Sequence, residues 1–426
     1  MNTPDRTKAP QIKQVEKLKL ENPDFIRLKN GIPAWFINAG KQDTVKIDLL
    51  FNAGTYFQSK PLQALLTNKM LSEGTAGYDA YRIAEKFDFY GAQFLANSEK
   101  DKAGLTLLGL NKHLEKVLPV FSEIIFRPVF PESEWNILKR KHKQNFLINN
   151  RKVKHLARRH FFPLIFNGHP YGNLTREEDY DSINLNDLKT FYETYYKPAN
   201  AVLIISGKIE DHIPELIDKH IGINRENNVN GPVSGIDHFT YQAEKKFIEQ
   251  ENALQSAIRI GKPLFNKKHP DYIKMKILTT ALGGYFGSRL MNNIREDKGY
   301  TYGIGAGLIS LQQAGYFFIA TEVGSHVRNN ALDEIYREVE KLCNENISEE
   351  ELFKVKNFLI GNIIHSLDGP VGLAENFKSL ITYGYNFEYI NNLIDTINAT
   401  TAVELKELAG KYIQPDSLSE LVAGHR

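Results

Sequence analysis

Two stretches, "FYETYYKPANAVLIISGKI" (191–209) and "LAGKYIQPDSLSELVAGHR" (408–426), decide the fold because they are variants of one pattern. Three residues of the first stretch recur in the second at a constant offset of 217 positions: Tyr195 and Tyr412, Pro198 and Pro415, Gly207 and Gly424. The same offset links "PESEWNILKRK" (131–141) with "SEEELFKVKNF" (348–358), each of which opens a helix with apolar periodicity after a cap-like start. The chain therefore contains two copies of one unit.

This duplication predicts two homologous domains, residues 1–222 and 241–426. A polar linker, "INRENNVNGPVSGIDHFT" (223–240), joins them. A chain of 426 residues is also too long for one ordinary hydrophobic core, which favours a division into two domains.

Each copy mixes strand and helix patterns. "FIRLKNGIPAWFIN" (25–38) predicts a hairpin of two short strands around Asn30-Gly31, and "VKIDLLF" and "NAVLIISG" are typical of strands. Helical periodicity appears in "PLQALLTNKML", "AYRIAEKF" and "LEKVLPVFSEII". The predicted fold class is α+β, with helices packed on a mostly antiparallel sheet in each domain.

The composition says more about the cellular compartment of the protein than about its function. The formal net charge of +2 is close to neutral and does not indicate a partner. Cys343 is the single cysteine, so an internal disulfide is excluded, and a lone thiol suits a reducing compartment. The N-terminus lacks the apolar run of a secretory signal, and no segment approaches the roughly 18 apolar residues of a membrane span. We expect a cytoplasmic protein without a membrane partner.

The twelve histidines do not form a zinc-binding pattern. Two histidines on one helix face need a spacing of four residues, and no pair in this chain has it. The closest pair, His155 and His160, is five apart, so the two rings point in different directions around a helix.

The stretch "NNIREDKGYTYGIGAG" (292–307) contains the strongest candidate site residues, Arg295 and Tyr302. We expect the helix "RLMNNIREDK" to end at Gly299 and the chain to continue as the strand "YTYGIGAG". In one interpretation Arg295 caps helix carbonyls and Tyr302 is half-buried. In the other, guanidinium and phenol converge to bind a peptide carbonyl and stabilise an oxyanion.

Three segments and the duplicated endings carry a resemblance to a known family: "FNAGTYFQSKPLQALLTNKMLSEGT" (51–75), "NGHPYG" (167–172) and "ALGGYFGSRLMNNIREDKGYTYGIGAG" (281–307). Together they resemble the pitrilysin/insulinase-type (inverzincin) metallopeptidases. The most similar branch has two domains and includes the mitochondrial processing peptidase subunits. The resemblance implies two homologous α+β domains, arranged as one half of a clamshell that closes around a peptide.

Active members of that family carry H-x-x-E-H shortly before a Gly-Thr pair, which places the motif on "LLTNK" (65–69) here. Leu65 and Lys69 replace the zinc-binding histidines, and Asn68 replaces the general-base glutamate. None of the three can do that chemistry. The third ligand, a glutamate 70 to 80 residues further on in the family, is also missing, since 135–176 contains no Asp or Glu.

The resemblance also implies that Arg295 and Tyr302 match an arginine and tyrosine, seven residues apart, that the family places opposite the metal. We therefore expect a non-zinc-binding, substrate-binding subunit with no catalytic residue acting alone. Its partner would be a zinc-bearing homologous subunit, and for the isolated chain both a monomer and a homodimer stay open. The alternative is a catalytically inactive scaffold or peptide-binding homologue, like the family members that are core subunits of respiratory complexes.

Two further segments are weaker indicators of function. The basic "KRKHKQNFLINNRKVKHLARRH" (139–160) lacks the interleaved aromatics of a nucleic-acid platform. It is interpreted as a helix with a solvated basic face, or as a basic wall of a peptide chamber. The glycine-rich "GGYFGS" and "GIGAG" lack the lysine and the following helix of a phosphate-binding loop.

Overall fold

The computed structural model describes residues 17–223 and 239–426, together with Thr7 and Val15. Most of the expected linker at 223–240 lies outside the described residues, so the domain boundary remains a prediction.

The strands among the described residues before the linker form one β-sheet. Its strands are β1 (Asp24–Arg27), β2 (Pro33–Asn38), β3 (Thr44–Phe51), β4 (Gln93–Ser98), β5 (Ala103–Leu110) and β6 (Ala201–Gly207). Their order is β1-β2-β6-β3-β5-β4, and every neighbouring pair is antiparallel except β2 and β6. The predicted hairpin is confirmed, because Arg27 lies opposite Pro33 and Gly31 turns the chain at a φ of 85°.

The second sheet repeats the first with one strand fewer. Its strands are β7 (Lys245–Glu249), β8 (Gln255–Leu264), β9 (Ile304–Ser310), β10 (Gly315–Gly324) and β11 (Ser419–Gly424). Their order is β7-β11-β8-β10-β9, with only β7 and β11 parallel. The α+β class with two mostly antiparallel sheets is therefore confirmed.

Helices cover both sheets. In the first half they are α1 (Gln63–Met70), α2 (Ala80–Phe89), α3 (Leu114–Phe126), α4 (Glu132–Asn150), α5 (Val153–Ile165), α6 (Asp179–Ser182), α7 (Leu185–Tyr195) and α8 (Ile213–Ile221). In the second half they are α9 (Tyr272–Gly283), the π-helix (Met291–Asp297), α10 (Arg328–Asn344), α11 (Glu349–Ser366), α12 (Gly369–Ile381), α13 (Glu388–Ala399) and α14 (Ala402–Tyr412). Among the described residues, no helix combines the length and the apolar character needed to cross a bilayer.

The two copies share local detail beyond the sequence match. The helices α7 and α14 both begin with a capping box, Asn184 with Asp187 and Thr401 with Glu404, and these pairs are also 217 positions apart. In a capping box two side chains satisfy backbone N–H groups that the first helical turn leaves free. The same local chemistry therefore starts the helix that precedes the last strand of each copy.

Each half contributes a helix to the other half. The second face of the first sheet packs on α12, and Ile37 and Ile204 of that face belong to the core of the second half. Conversely, α5 packs on β8 and β11 and buries Phe161 and Ile165 there. The halves are thus interlocked, and a cleft remains between their sheets.

The basic segment 139–160 is not one helix as expected. It spans the end of α4 and most of α5, which are separated at Arg151 and Lys152. Its charges therefore point in several directions and do not form one continuous face.

Candidate functional site

The helix α1 occupies the position of the family's zinc helix, but it is a packing element. It packs against α7 and β4. Asn68 is fully buried, and its amide nitrogen donates to the carbonyl of Gly104 at 3.5 Å. Gln63, at the start of α1, donates to the carbonyl of Asp187 at 2.8 Å. These contacts explain why the helix persists without a metal-binding role.

The groups around α1 do not fit a zinc ion. Leu65 has no donor atom and Lys69 carries a positive charge. On the neighbouring α4, His142 bonds through Nδ1 to the hydroxyl of Tyr180 at 2.7 Å. Burial and the charge of Lys69 lower the pKa of His142. Among the described residues, no three His, Cys, Asp or Glu side chains are placed to share a metal ion.

Arg295 lies on the π-helix, where an α-helix was expected. Helical turns of this width are rare in proteins, and those that do occur are often found at functional sites. The expected end of the helix is correct: Gly299 adopts a φ of 65°, and its N–H donates to the carbonyl of Arg295 at 3.2 Å. The Arg295 guanidinium lies over the ring of Phe286, 4.8 Å from its centroid, and 3.4 Å from Glu296. It therefore contacts an exposed aromatic ring, and no hydrogen bond joins it to a helix carbonyl.

Tyr302 precedes β9 and is not on the strand, which corrects the expectation. Its side chain is 95% exposed, which is incompatible with a half-buried tyrosine. The backbone around it is nevertheless fixed, because the Thr301 hydroxyl donates to the carbonyl of Glu322 at 2.7 Å and accepts from Thr321 at 2.9 Å. No hydrogen bond joins Tyr302 to Arg295, although both extend from neighbouring segments. Their convergence remains a prediction.

The sequence did not indicate a cleft of about 920 Å³ between the two sheets. The edge strands β4 and β9 both contribute to its wall, with Asn97 and Ser98 from the first and Leu308 and Ser310 from the second. Arg158 of α5 and Lys378 of α12 lie on its flanks. No motif marks these residues, because they come from distant parts of the chain.

Three lysines of the cleft are half-buried. Burial and the nearby Arg158 lower the pKa of Lys100 to about 8, although Asp101 opposes the shift. Burial, with Lys276 as a second cause, lowers the pKa of Lys267 to about 8. Burial also lowers the pKa of Lys102.

The lysines have neutral partners. Lys100 donates to the carbonyl of Tyr171 at 2.7 Å, and Lys102 donates to Oδ1 of Asn52 at 2.6 Å. Lys267 lies 3.3 Å from the hydroxyl of Ser379. In the described part of the chain, none of the three ammonium groups is within ion-pair distance of a carboxylate.

Of the three acidic residues that line the cleft, Asp101 and Glu375 are engaged, and Glu99 is exposed to solvent. Asp101 accepts from the Tyr171 hydroxyl and from the backbone N–H of Gln312 at 2.9 Å, which joins the β4–β5 and β9–β10 turns. Glu375 is 2.5 Å from Lys46 and 2.7 Å from Lys378. The ion pairs of Glu375 therefore lie between the first sheet and α12, and they do not involve the three lysines.

Two family models match the chain in succession. Residues 35–177 match the model described as insulinase (peptidase family M16), and residues 182–359 match the one described as peptidase M16 inactive domain.

Relatives extend over nearly the full length. An uncharacterized zinc protease, YmxG, of Bacillus subtilis is 23% identical and covers 93% of this chain and 97% of the relative. The non-peptidase homolog YmxG of Helicobacter pylori is 23% identical over 86% of this chain and 84% of the relative. The beta subunit of the mitochondrial-processing peptidase of Bos taurus is 20% identical over 93% of this chain and 83% of the relative.

A solved structure described as the peptidase M16 inactive domain from Pseudomonas fluorescens has a TM-score of 0.86 to this chain. Its sequence is 24% identical, and the match covers 95% of this chain and 99% of that one, so it shows a common fold. With both family models matched in order on that fold, the chain belongs to the insulinase (M16) peptidase family, and its sequence contains no H-x-x-E-H motif.

Proposed function

We propose that this chain is the non-zinc-binding, substrate-binding subunit of a heterodimeric zinc metallopeptidase and supplies Arg295 and Tyr302 to a composite active site. The observation that carries the proposal is the exposed tyrosine. A side chain that is 95% exposed on a backbone fixed by Thr301 contributes nothing to this chain's own core. Such a side chain is available to a ligand or a partner.

The role of the pair is binding. The guanidinium of Arg295 and the hydroxyl of Tyr302 are hydrogen-bond donors that can bind a peptide carbonyl and favour negative charge on its oxygen. The zinc would belong to the partner, a homologous subunit with an intact H-x-x-E-H, because Leu65, Asn68 and Lys69 cannot supply it. A homodimer of this chain would lack the metal in both subunits.

The second candidate is a catalytically inactive scaffold or peptide-binding homologue. One observation favours it: Arg295 already contacts Phe286 and Glu296, so the guanidinium is not held ready for substrate. The Helicobacter pylori relative named a non-peptidase homolog agrees with a loss of activity. A cytoplasmic location belongs to both candidates and has the single, half-buried thiol of Cys343 as its support.

The deciding experiment measures peptide hydrolysis by this chain alone, by a zinc-bearing homologue from the same organism alone, and by the mixture. Each sample is assayed with and without added zinc. We expect activity only in the mixture. Arg295→Ala and Tyr302→Phe should each lower kcat, by about 10²-fold or more if the side chain stabilises the oxyanion. Tyr81→Phe is the matched control, since Tyr81 is 72% exposed on α2, and it should leave the rate unchanged.

Full activity of the homologue without this chain would contradict the composite site. Hydrolysis by the mixture that is insensitive to both variants would support the scaffold.

A further inference from the structure

The cleft between the sheets has an imbalance of charge that the proposed function does not explain. Lys100, Lys102 and Lys267 line it from both halves and hydrogen-bond only to neutral oxygens in the described chain. Arg158, on α5, adds a fourth cation to the same wall. Burying several cations together is unfavourable unless an anion compensates them.

Three carboxylates line the cleft, and in the described chain none of them forms an ion pair with these lysines; Glu99 is exposed to solvent. Asp101 is occupied by Tyr171 and by the backbone of Gln312, and burial raises its pKa. Glu375 is occupied by Lys46 and Lys378. An anion from outside this chain would therefore find cations in the cleft that form no ion pair within it.

The size and walls of the cleft indicate what that anion is attached to. Its volume of about 920 Å³ is that of a site for an extended ligand and is far more than one small ion fills. Two edge strands, β4 and β9, reach the cleft, and each pairs with only one neighbour in its sheet. An edge strand offers unpaired backbone groups to which an added extended segment can bond.

We propose that this cleft binds an extended acidic peptide segment, whose carboxylates pair with Lys100, Lys102 and Lys267 while its backbone adds to a sheet edge. The inference rests on the proposed function, because it names the class of peptide that the substrate-binding subunit would hold. Of the basic segment 139–160, Arg158 contributes to this wall. The remaining cations come from the β4–β5 turn and from the residues after β8.

The test uses the full chain alone, without partner or zinc. Fluorescence anisotropy would measure binding of a labelled peptide in which glutamate alternates with valine, so that an extended chain presents its carboxylates on one face. The comparison peptide has glutamine at each glutamate position. We expect the glutamate peptide to bind about tenfold or more tightly than the glutamine peptide, because charge-assisted bonds are worth about 1.5–3 kcal/mol each.

Lys102→Gln and Lys267→Gln should each weaken binding of the glutamate peptide severalfold, and added salt should weaken it further. Lys116→Gln is the matched control, since Lys116 is an exposed lysine on α3, a helix that packs on the opposite face of the first sheet. It should bind as the unchanged protein does. Circular dichroism of each variant confirms that a loss of binding is not a loss of fold.

Equal affinity for the two peptides, or insensitivity to both lysine variants, would overturn the proposal. Displacement of the glutamate peptide by inorganic phosphate, at a phosphate concentration equal to the peptide's dissociation constant, would also overturn the proposal. The site would then recognise a small anion only. A failure here is distinguishable from failure of the proposed function. If only the lysine site is wrong, the mixture of subunits should still hydrolyse the glutamine peptide, because that hydrolysis does not depend on the lysines.

Discussion

At the scale of single residues, three replacements on α1 remove the zinc chemistry and leave the helix in place. The helix still packs against α7 and β4, and Asn68 is buried with a hydrogen bond to the carbonyl of Gly104. A metal site depends on donor atoms, whereas packing depends on volume and shape, so one can be lost without the other. The residues that remain chemically unusual are the half-buried lysines of the cleft.

The depressed lysine pKa values predict a pH dependence of acidic-peptide binding. Lysine is charged below its pKa, so Lys100 and Lys267, with a pKa of about 8 each, lose their charge as the pH rises through that value. Glutamate stays ionised throughout. Affinity for the glutamate peptide should therefore be highest below pH 8 and fall between about pH 7 and about pH 9.5. The neighbours that set these values are Asp101 and Arg158 for Lys100, and Lys276 for Lys267.

The control for this dependence is Lys267→Arg, since a guanidinium stays charged over the whole range. Its affinity should decline less steeply than that of the unchanged protein. A flat profile for the unchanged protein would exclude Lys100 and Lys267 as the groups that bind the carboxylates.

At the scale of elements, the π-helix and the turn after it position the two candidate site residues. Gly299 ends the helix in the left-handed region, and Thr301 ties the next turn to β10 through Glu322 and Thr321. The positions of Arg295 and Tyr302 thus depend on backbone features that neither side chain creates.

Gly299→Ala and Gly361→Ala should have opposite effects on stability. Neither added methyl group meets an atom within 4 Å, so only backbone preference differs. At Gly299, with φ at 65°, alanine should cost about 1 kcal/mol. At Gly361, inside α11, alanine should stabilise by about 0.5–1 kcal/mol. Thermal unfolding midpoints measure both, and a lower midpoint for Gly361→Ala would contradict this account.

At the scale of the whole molecule, the exchange of α5 and α12 joins the halves into one structure. Each sheet has one face in its own core and the other against a helix of the other half. Separating the halves would expose both of these apolar faces, including Ile204 and Phe161.

We therefore expect one calorimetric unfolding transition. Phe161→Ala, at the contact between α5 and the second sheet, should lower its midpoint by removing about 3–5 kcal/mol of packing. Phe89→Ala is the control, because Phe89 is 80% exposed on α2. Two separate transitions, of which Phe161→Ala moves only one, would show that the halves unfold independently.

Local sequence signals predicted the individual elements well. The Asn30-Gly31 turn, the helices around 61–71, 80–87 and 114–125, and the end of the helix at Gly299 follow from turn chemistry and periodicity, which act over a few residues. The same kind of signal was wrong for 139–160 and for the start of β9. Nothing local distinguishes one helix from two, and a strand boundary depends on pairing with β10.

By itself the sequence determined the duplication, the fold class, the family resemblance and the loss of the zinc ligands. Each of these is a property of residue identity at fixed spacing. Only the tertiary structure decided the exchange of α5 and α12, the exposure of Tyr302, the stacking of Arg295 on Phe286 and the cleft with its lysines that form no ion pair in the described chain. The physical reason is separation along the chain: Lys100 and Lys267 share one cavity only because the two sheets face each other, and burial there changes the pKa of both.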